Sequence, residues 1–237
     1  GETRAILLGL AAGLAVGVVN GVGIAIFRVQ PLIMTLGMTA VIVGVLTVYS
    51  QNGVSGVPIV PAAVRTIGSG AWHDIPYNLV VWAPLAALII VGLRASGFGR
   101  LLYAVGDNPE ACRLAGVRVW QVLLAVYVLA GLLSAIAGLL LVGYTNAADL
   151  ELGNTYLLPS VAAVVIGGTS IFGGSGTIVG SYIGLLIVVM LQIGMVAMGL
   201  GGDIADMVIG VVFILAVILH MLVERPERLK GLGLGKG

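Results

Sequence analysis

The chain has 237 residues, 59% of them hydrophobic and only 9% charged, with 37 glycines and a mean hydropathy of +1.17. Soluble domains carry about 25% charged residues, so this composition is that of a polytopic membrane protein. A formal net charge of +1 argues against a nucleic-acid partner, and the lone cysteine, Cys112, excludes an internal disulfide and any cysteine-rich metal site.

Apolar sequence begins at Ala5 without an initiator Met, a charged leader or a cleavage motif. No signal peptide is read there, and the start is expected to be either a cut into a longer membrane protein or an unusually short one. Apolar runs of the length that crosses a bilayer, about 17–25 residues, occupy 5–27, 32–50, 77–93, 122–143, 178–198 and 204–223. A seventh run, 157–172, is short and is either a full crossing or a re-entrant dip. Together these predict an all-α polytopic membrane protein with about seven transmembrane helices, arranged as one domain over 1–237.

Basic residues accumulate on the cytoplasmic side of membrane proteins. Placing the loop 94–121 inside, with a full crossing by 157–172, puts nine of the eleven Lys and Arg residues on that side: Arg28, Arg94, Arg100, Arg113, Arg118, Arg225, Arg228, Lys230 and Lys236. Arg4 and Arg65 fall outside. This favours the crossing, a long outer loop at 51–76 and a cytoplasmic tail at 224–237. Trp72, Tyr77, Trp82, Tyr103 and Trp120 lie near predicted span ends, as an aromatic belt requires.

Gly9, Gly13, Gly17 and Gly21 recur every fourth residue, as do Gly176, Gly180 and Gly184. Such stripes let helices approach closely in lipid, and packing is the reading adopted for both. The stretch 167–177 is different. Gly167, Gly168, Thr169, Gly173, Gly174 and Gly176 break two apolar helices, and non-helical backbone at membrane depth survives only inside protein or along a wet cavity. No Lys follows it in a nucleotide-binding spacing.

The largest polar island is 99–120. Within it, Asn108 is an N-cap, Pro109 suits the first helical position, Glu110 sits in the first turn, and Gly116 suits the left-handed residue after the helix. Arg113 lies between them, and Ala111, Leu114 and Ala115 share one face. About two turns of helix do not persist alone, so this segment must dock. Its bland alternative is a connector lying in the lipid interface.

The acidic residues all fall in predicted loops or at span ends, so proton or ion coupling within this chain is not expected. The only Gly-Lys pair, Gly235-Lys236, does not complete a phosphate-binding loop, and no nucleophile–base set or metal cluster stands out. The chain is therefore expected not to be an enzyme, to carry no metal and no cofactor, and to draw energy from elsewhere. Neutral polar groups inside the spans remain: Asn20, Thr35, Thr39, Tyr127, Ser134, Ser160, Tyr182 and Gln192. They suit a neutral hydroxylated solute, although the same residue types also join helices. Except for Tyr182, they form the candidate translocation path.

At Gly106-Asp-Asn-Pro-Glu-Ala-Cys-Arg-Leu-Ala-Gly-Val117 the sequence resembles the membrane permease subunits of bacterial ABC sugar importers of the ribose/xylose/galactose class. Three further stretches agree in order: Asn20-Gly-Val-Gly-Ile-Ala with Gln30-Pro-Leu-Ile-Met-Thr-Leu-Gly-Met38, Ala163-Val-Val-Ile-Gly-Gly-Thr-Ser170 with Gly173-Gly-Ser-Gly-Thr-Ile-Val-Gly180, and the last apolar helix. The resemblance implies that 108–116 is a cytoplasmic coupling helix seated in a groove of an ATPase subunit. It also implies a second permease subunit (a homodimer is expected), ATP bound by the partner ATPase, a periplasmic solute-binding protein and a bacterial inner-membrane location. Members usually carry more helices ahead of the Asn-Gly segment. Open alternatives are a branched-chain amino-acid permease of similar layout, a secondary transporter, whose broken helices would explain the glycine-rich break, and a passive channel.

Overall fold

Lipid offers the backbone no hydrogen-bond partner, so each long apolar run satisfies its N–H and C=O groups internally as a helix. The computed structural model describes residues 2–51, 60–73, 75–149, 152–170, 173–199 and 201–224, and over these the chain is helical throughout apart from short connections. It divides into two compact units, 1–152 and 153–237.

The first unit contains α1 (Glu2–Ala25), α2 (Pro31–Gln51), α3 (Ala62–Ser69), α4 (Tyr77–Ala95), α5 (Gly97–Asp107), α6 (Pro109–Leu114) and α7 (Val119–Thr145). Two strands of two residues each, β1 (Ala71–Trp72) and β2 (Ile75–Pro76), pair antiparallel ahead of α4. The main joint is α1 against α7, and the predicted glycine stripe is its seam. A Cβ on Gly13 would stand 2.7 Å from the Gly131 carbonyl oxygen, one on Gly17 would stand 2.6 Å from that of Tyr127, and one on Gly21 would meet Leu124. The stripe is a packing device, as its spacing indicates. By contrast, α2 and α4 bury no residue within the unit.

Two helices arise where the sequence suggested only loops. In the outer loop, α3 lies on α7, with the Gly68 and Gly143 backbones in direct apposition and the Asn78 side-chain amide donating to the Gly68 carbonyl at 2.7 Å. In the polar island, α5 starts at Ser96, whose hydroxyl accepts from the Gly99 N–H at 3.1 Å. Val105 of α5 is buried and packs with Val119 and Val122 of α7, flanked by Phe98, Cys112, Val117 and Leu123. That small apolar cluster fixes the island onto the head of α7.

The second unit holds a 3-10 turn (Asn154–Tyr156), α8 (Leu157–Ile166), α9 (Ile178–Ala197) and α10 (Gly202–Glu224) around a core of Ala162, Ala163, Val188 and Ile209. Gly180 and Gly184 of α9 pack closely as predicted, since a Cβ on Gly184 would stand 2.7 Å from the Gly167 nitrogen, but Gly176 precedes α9 at φ +150° and so is no part of a helical stripe.

Five helices, α1, α2, α4, α7 and α9, are long and apolar enough to cross a membrane, while α8 and the stretch Ile204–Ile218 of α10 are shorter apolar segments. The run expected to cross at 157–172 is helical only to Ile166. At about 1.5 Å per residue, α8 is roughly half as long as the hydrocarbon is thick, so the seventh segment is not a single spanning helix. Residues 171 and 172 of that run, residues 52–59 of the outer loop and the tail basic residues Arg225, Arg228, Lys230 and Lys236 lie outside the described residues.

Candidate coupling surface and solute path

The sequence signals at 108–116 resolve into a capped turn and a half of helix. The Asn108 side-chain oxygen accepts from the Ala111 N–H at 2.9 Å, with Pro109 in the first helical turn. At the other end the Gly116 N–H donates to the Arg113 carbonyl at 3.0 Å, and the Val117 N–H to the Cys112 carbonyl at 2.9 Å. These are the paired bonds of a Schellman ending, which requires a left-handed residue. Gly116 supplies it at φ +82°. The associated apolar contact is present too, because Cys112 and Val117 both pack on the Val105–Val119–Val122 cluster.

Helix α6 is shorter than expected, with Ala115 as its C-cap rather than part of the helix. Its two faces differ sharply. Cys112 points into the cluster, whereas Ala111, Leu114 and Ala115 are exposed, Leu114 at 87%. Glu110 and Arg113 pair along the surface at 2.9 Å. An exposed ion pair of this kind stabilises little; its effect is to offset one positive charge. The segment is thus held from below by caps and a small core while presenting an apolar tip outward. Sequence pattern missed α5, although Ser96 followed by apolar residues at 98, 102 and 105 carries the period of a helix start.

The glycine-rich break is likewise built, not loose. The Gly168 and Thr169 N–H groups donate to the Val165 and Val164 carbonyls at 2.9 and 3.1 Å, a second Schellman ending, with Gly168 at φ +80°. Beyond it, the Ser170 N–H bonds the Ser175 carbonyl at 3.0 Å and the Thr169 hydroxyl meets that of Ser181 at 3.1 Å. Gly173, Gly174 and Gly176 take φ of +95°, +78° and +150°. Thr177 then caps α9 by accepting from the Gly180 N–H at 3.0 Å.

The candidate path residues are divided between the two units, five in the first and two in the second. In the first unit, Thr35 and Thr39 are on the unburied helix α2 and return their hydroxyls to α2 carbonyls at 3.0 Å. Ser134 of α7 is exposed. Asn20 and Tyr127 belong to the packed pair α1 and α7 and are both half-buried. The Asn20 Oδ1 is buried with no hydrogen-bond partner among the described residues. In the second unit, Ser160 bonds the Leu157 carbonyl at 2.9 Å and Gln192 is half-buried on α9. Three of the seven hydroxyls and amides are thus engaged by their own helices, as joining residues would be. Asn20 is the one with a buried acceptor left unused.

A family model described as branched-chain amino acid transport system / permease component matches residues 3–217. The chain belongs to that permease family. This permease is 34% identical to the fructose import permease protein of Rhizobium meliloti, over 93% of its own length and 63% of the relative's. It is 38% identical to the ribose import permease protein of Escherichia coli K12, over 91% and 68%. With the galactose/methyl galactoside import permease protein of Haemophilus influenzae it shares 34% identity over 92% and 66%. The permease thus spans about two thirds of the length of these relatives. No solved structure matches it. The kinship with sugar-importer permeases expected from the four motifs is found, and the chain is a multi-pass membrane protein.

Proposed function

We propose that this chain is the membrane-spanning permease part of an ATP-driven importer, moving a sugar-like solute inward across a bacterial inner membrane. A separate ATPase subunit binds the ATP, a periplasmic binding protein delivers the solute, and a second permease subunit completes the path. The chain itself performs no chemistry. Residues 108–116 are the contact with the ATPase, and within the first unit Asn20 and Tyr127 are its best-placed contacts with solute hydroxyls.

The observation that carries the reading is Leu114. A leucine 87% exposed at the tip of a doubly capped helix, on a segment whose other face is tied into an apolar cluster, is held out for a partner. A connector lying in lipid would need no such support from below. For the cargo, the family description names branched-chain amino acids, but the relatives that match over most of this chain include import permeases for fructose, ribose and galactose, beside one for autoinducer 2. That favours sugar over the amino-acid reading.

The test is Leu114→Asp in the assembled importer. The side chain is exposed, so folding and membrane insertion should be unchanged. A charge carried into a protein groove is costly unless paired, so co-purification of the ATPase and solute-stimulated ATP hydrolysis should fall. Normal assembly and transport by this variant would reduce α6 to a connector.

A further inference from the structure

Two grooves flank the turn that ends α1, and they differ in character. The first, about 490 Å³, is lined by Ala25, Ile26, Arg28, Arg113, Val117, Arg118, Val119 and Trp120. The second, about 330 Å³, is wholly apolar and is formed by Val18, Val22, Phe27, Val29 and Met34 with their neighbours. Successive residues of one turn serve both, with Ile26 and Arg28 facing the first and Phe27 and Val29 the second.

The basic groove is short of anions. Arg113 is paired with Glu110, but Arg28 and Arg118 have no carboxylate within ion-pair distance among the described residues. Arg28 also takes φ +56°, a left-handed conformation in which glycine would be unstrained. An arginine is held there at a conformational cost, and its side chain lines the groove. The groove lies where α1 ends and α7 begins, with the half-exposed Trp120 beside it. Tryptophan at the end of a spanning helix marks the headgroup level of the membrane. The apolar groove runs from the same turn back along α1 through Val22 and Val18, toward the hydrocarbon.

We propose that these two grooves together hold one anionic phospholipid, its phosphate between Arg28, Arg118 and Arg113 and an acyl chain along Val18, Val22, Phe27 and Met34. Charge complementarity selects an anionic headgroup, and the adjoining apolar groove selects a lipid over a free anion or an acidic peptide. The site adjoins α6 through Arg113, so bound lipid would steady the island that carries Leu114. The inference requires a bilayer but not the ATP-driven reading.

The test uses the purified full chain in detergent, delipidated and then titrated with phosphatidylglycerol or phosphatidylcholine of equal chain length, with retention read by native mass spectrometry. Phosphatidylglycerol should be retained at least about tenfold better, from about 1 kcal/mol for each unpaired basic residue at a membrane surface. Arg28→Gln with Arg118→Gln should abolish the preference, while Arg28→Lys with Arg118→Lys should keep most of it. Because the lipid comparison is made on the unmodified chain, misfolding of the glutamine variant does not rescue the idea. Equal retention of the two lipids overturns it, and so does displacement of phosphatidylglycerol by millimolar inorganic phosphate, which would mark a free-anion site. Unchanged phosphatidylglycerol preference in the glutamine variant, with its ATPase partner lost, would assign the groove to protein and overturn it equally.

Discussion

Gly17 and Gly131 face each other across the crossing of α1 and α7, so closely that a Cβ on Gly131 would stand 2.8 Å from the Gly17 Cα. No side chain intervenes between the two backbones. With apolar solvent on every side, helices in lipid are held by such close contact and not by the expulsion of water. Gly131→Ala should therefore push α7 off α1 and destabilise the protein by about 1–3 kcal/mol, the usual cost of overpacking. Gly138→Ala, on the same helix but with open space around it, should be neutral. Thermal unfolding of the two variants in detergent separates them, and equal midpoints would mean that the crossing is not closely packed.

Much of this is legible in the sequence. Spans, the α1 glycine seam and both ends of α6 follow from local rules: apolar length, a four-residue repeat, and the Asn-Pro and Gly punctuation at 108, 109 and 116. What stayed hidden depends on contacts distant in sequence. Nothing near Gly68 says that Gly143 will receive it. The stop at Ile166 was legible only in part, because Gly167 and Gly168 open the predicted break while hydropathy alone carries the apolar run on to 172. Path residues were the least legible. Ser, Thr and Asn inside spans look alike whether they face a solute or, like Thr35 and Ser160, their own helix carbonyls.

In the glycine-rich break, Gly176 at φ +150° sits in a region open to little but glycine, and a Cβ there would stand 2.6 Å from the Thr169 Cγ2. Gly199 also has positive φ, at +77°, but nothing stands near it. Gly176→Ala should consequently lower the unfolding midpoint clearly more than Gly199→Ala, and it should also disturb the Thr169–Ser181 hydroxyl pair. Thr169→Val removes that hydrogen bond alone and should cost about 1 kcal/mol. A Gly176→Ala variant as stable as Gly199→Ala would show that the break adopts another conformation in the membrane.

Topology is open to a direct check, and it bears on α8. With Cys112 replaced by Ser, a cysteine at position 65 should react with an impermeant maleimide added to intact cells, and cysteines at 118 and 230 should not. The helical part of the seventh segment is only Leu157–Ile166, so the side on which position 230 appears reports whether the chain continues across after it. Labelling at 230 from outside, with 118 protected, would make the segment re-entrant.

The last prediction separates the shape of α6 from its exposed tip. Asn108 caps one end through the Ala111 N–H and Gly116 closes the other in a left-handed conformation. Asn108→Ala should cost about 0.5–2 kcal/mol of local stability, and Gly116→Val about 1–2 kcal/mol for a side chain forced into that region. Neither substitution touches Leu114 or the spans, and the Val105–Val119–Val122 cluster should hold the rest of the island in place. Backbone hydrogen exchange should accordingly quicken at 111–117 and stay unchanged within α7. If α6 passes motion between an ATPase and the membrane, both variants should still assemble with the ATPase through Leu114 but hydrolyse ATP with less transport per turnover. Leu114→Asp should instead fail at assembly, with exchange at 111–117 as slow as in the unmodified chain. Faster exchange in both cap variants with full transport efficiency would show that a rigid α6 is not needed for coupling.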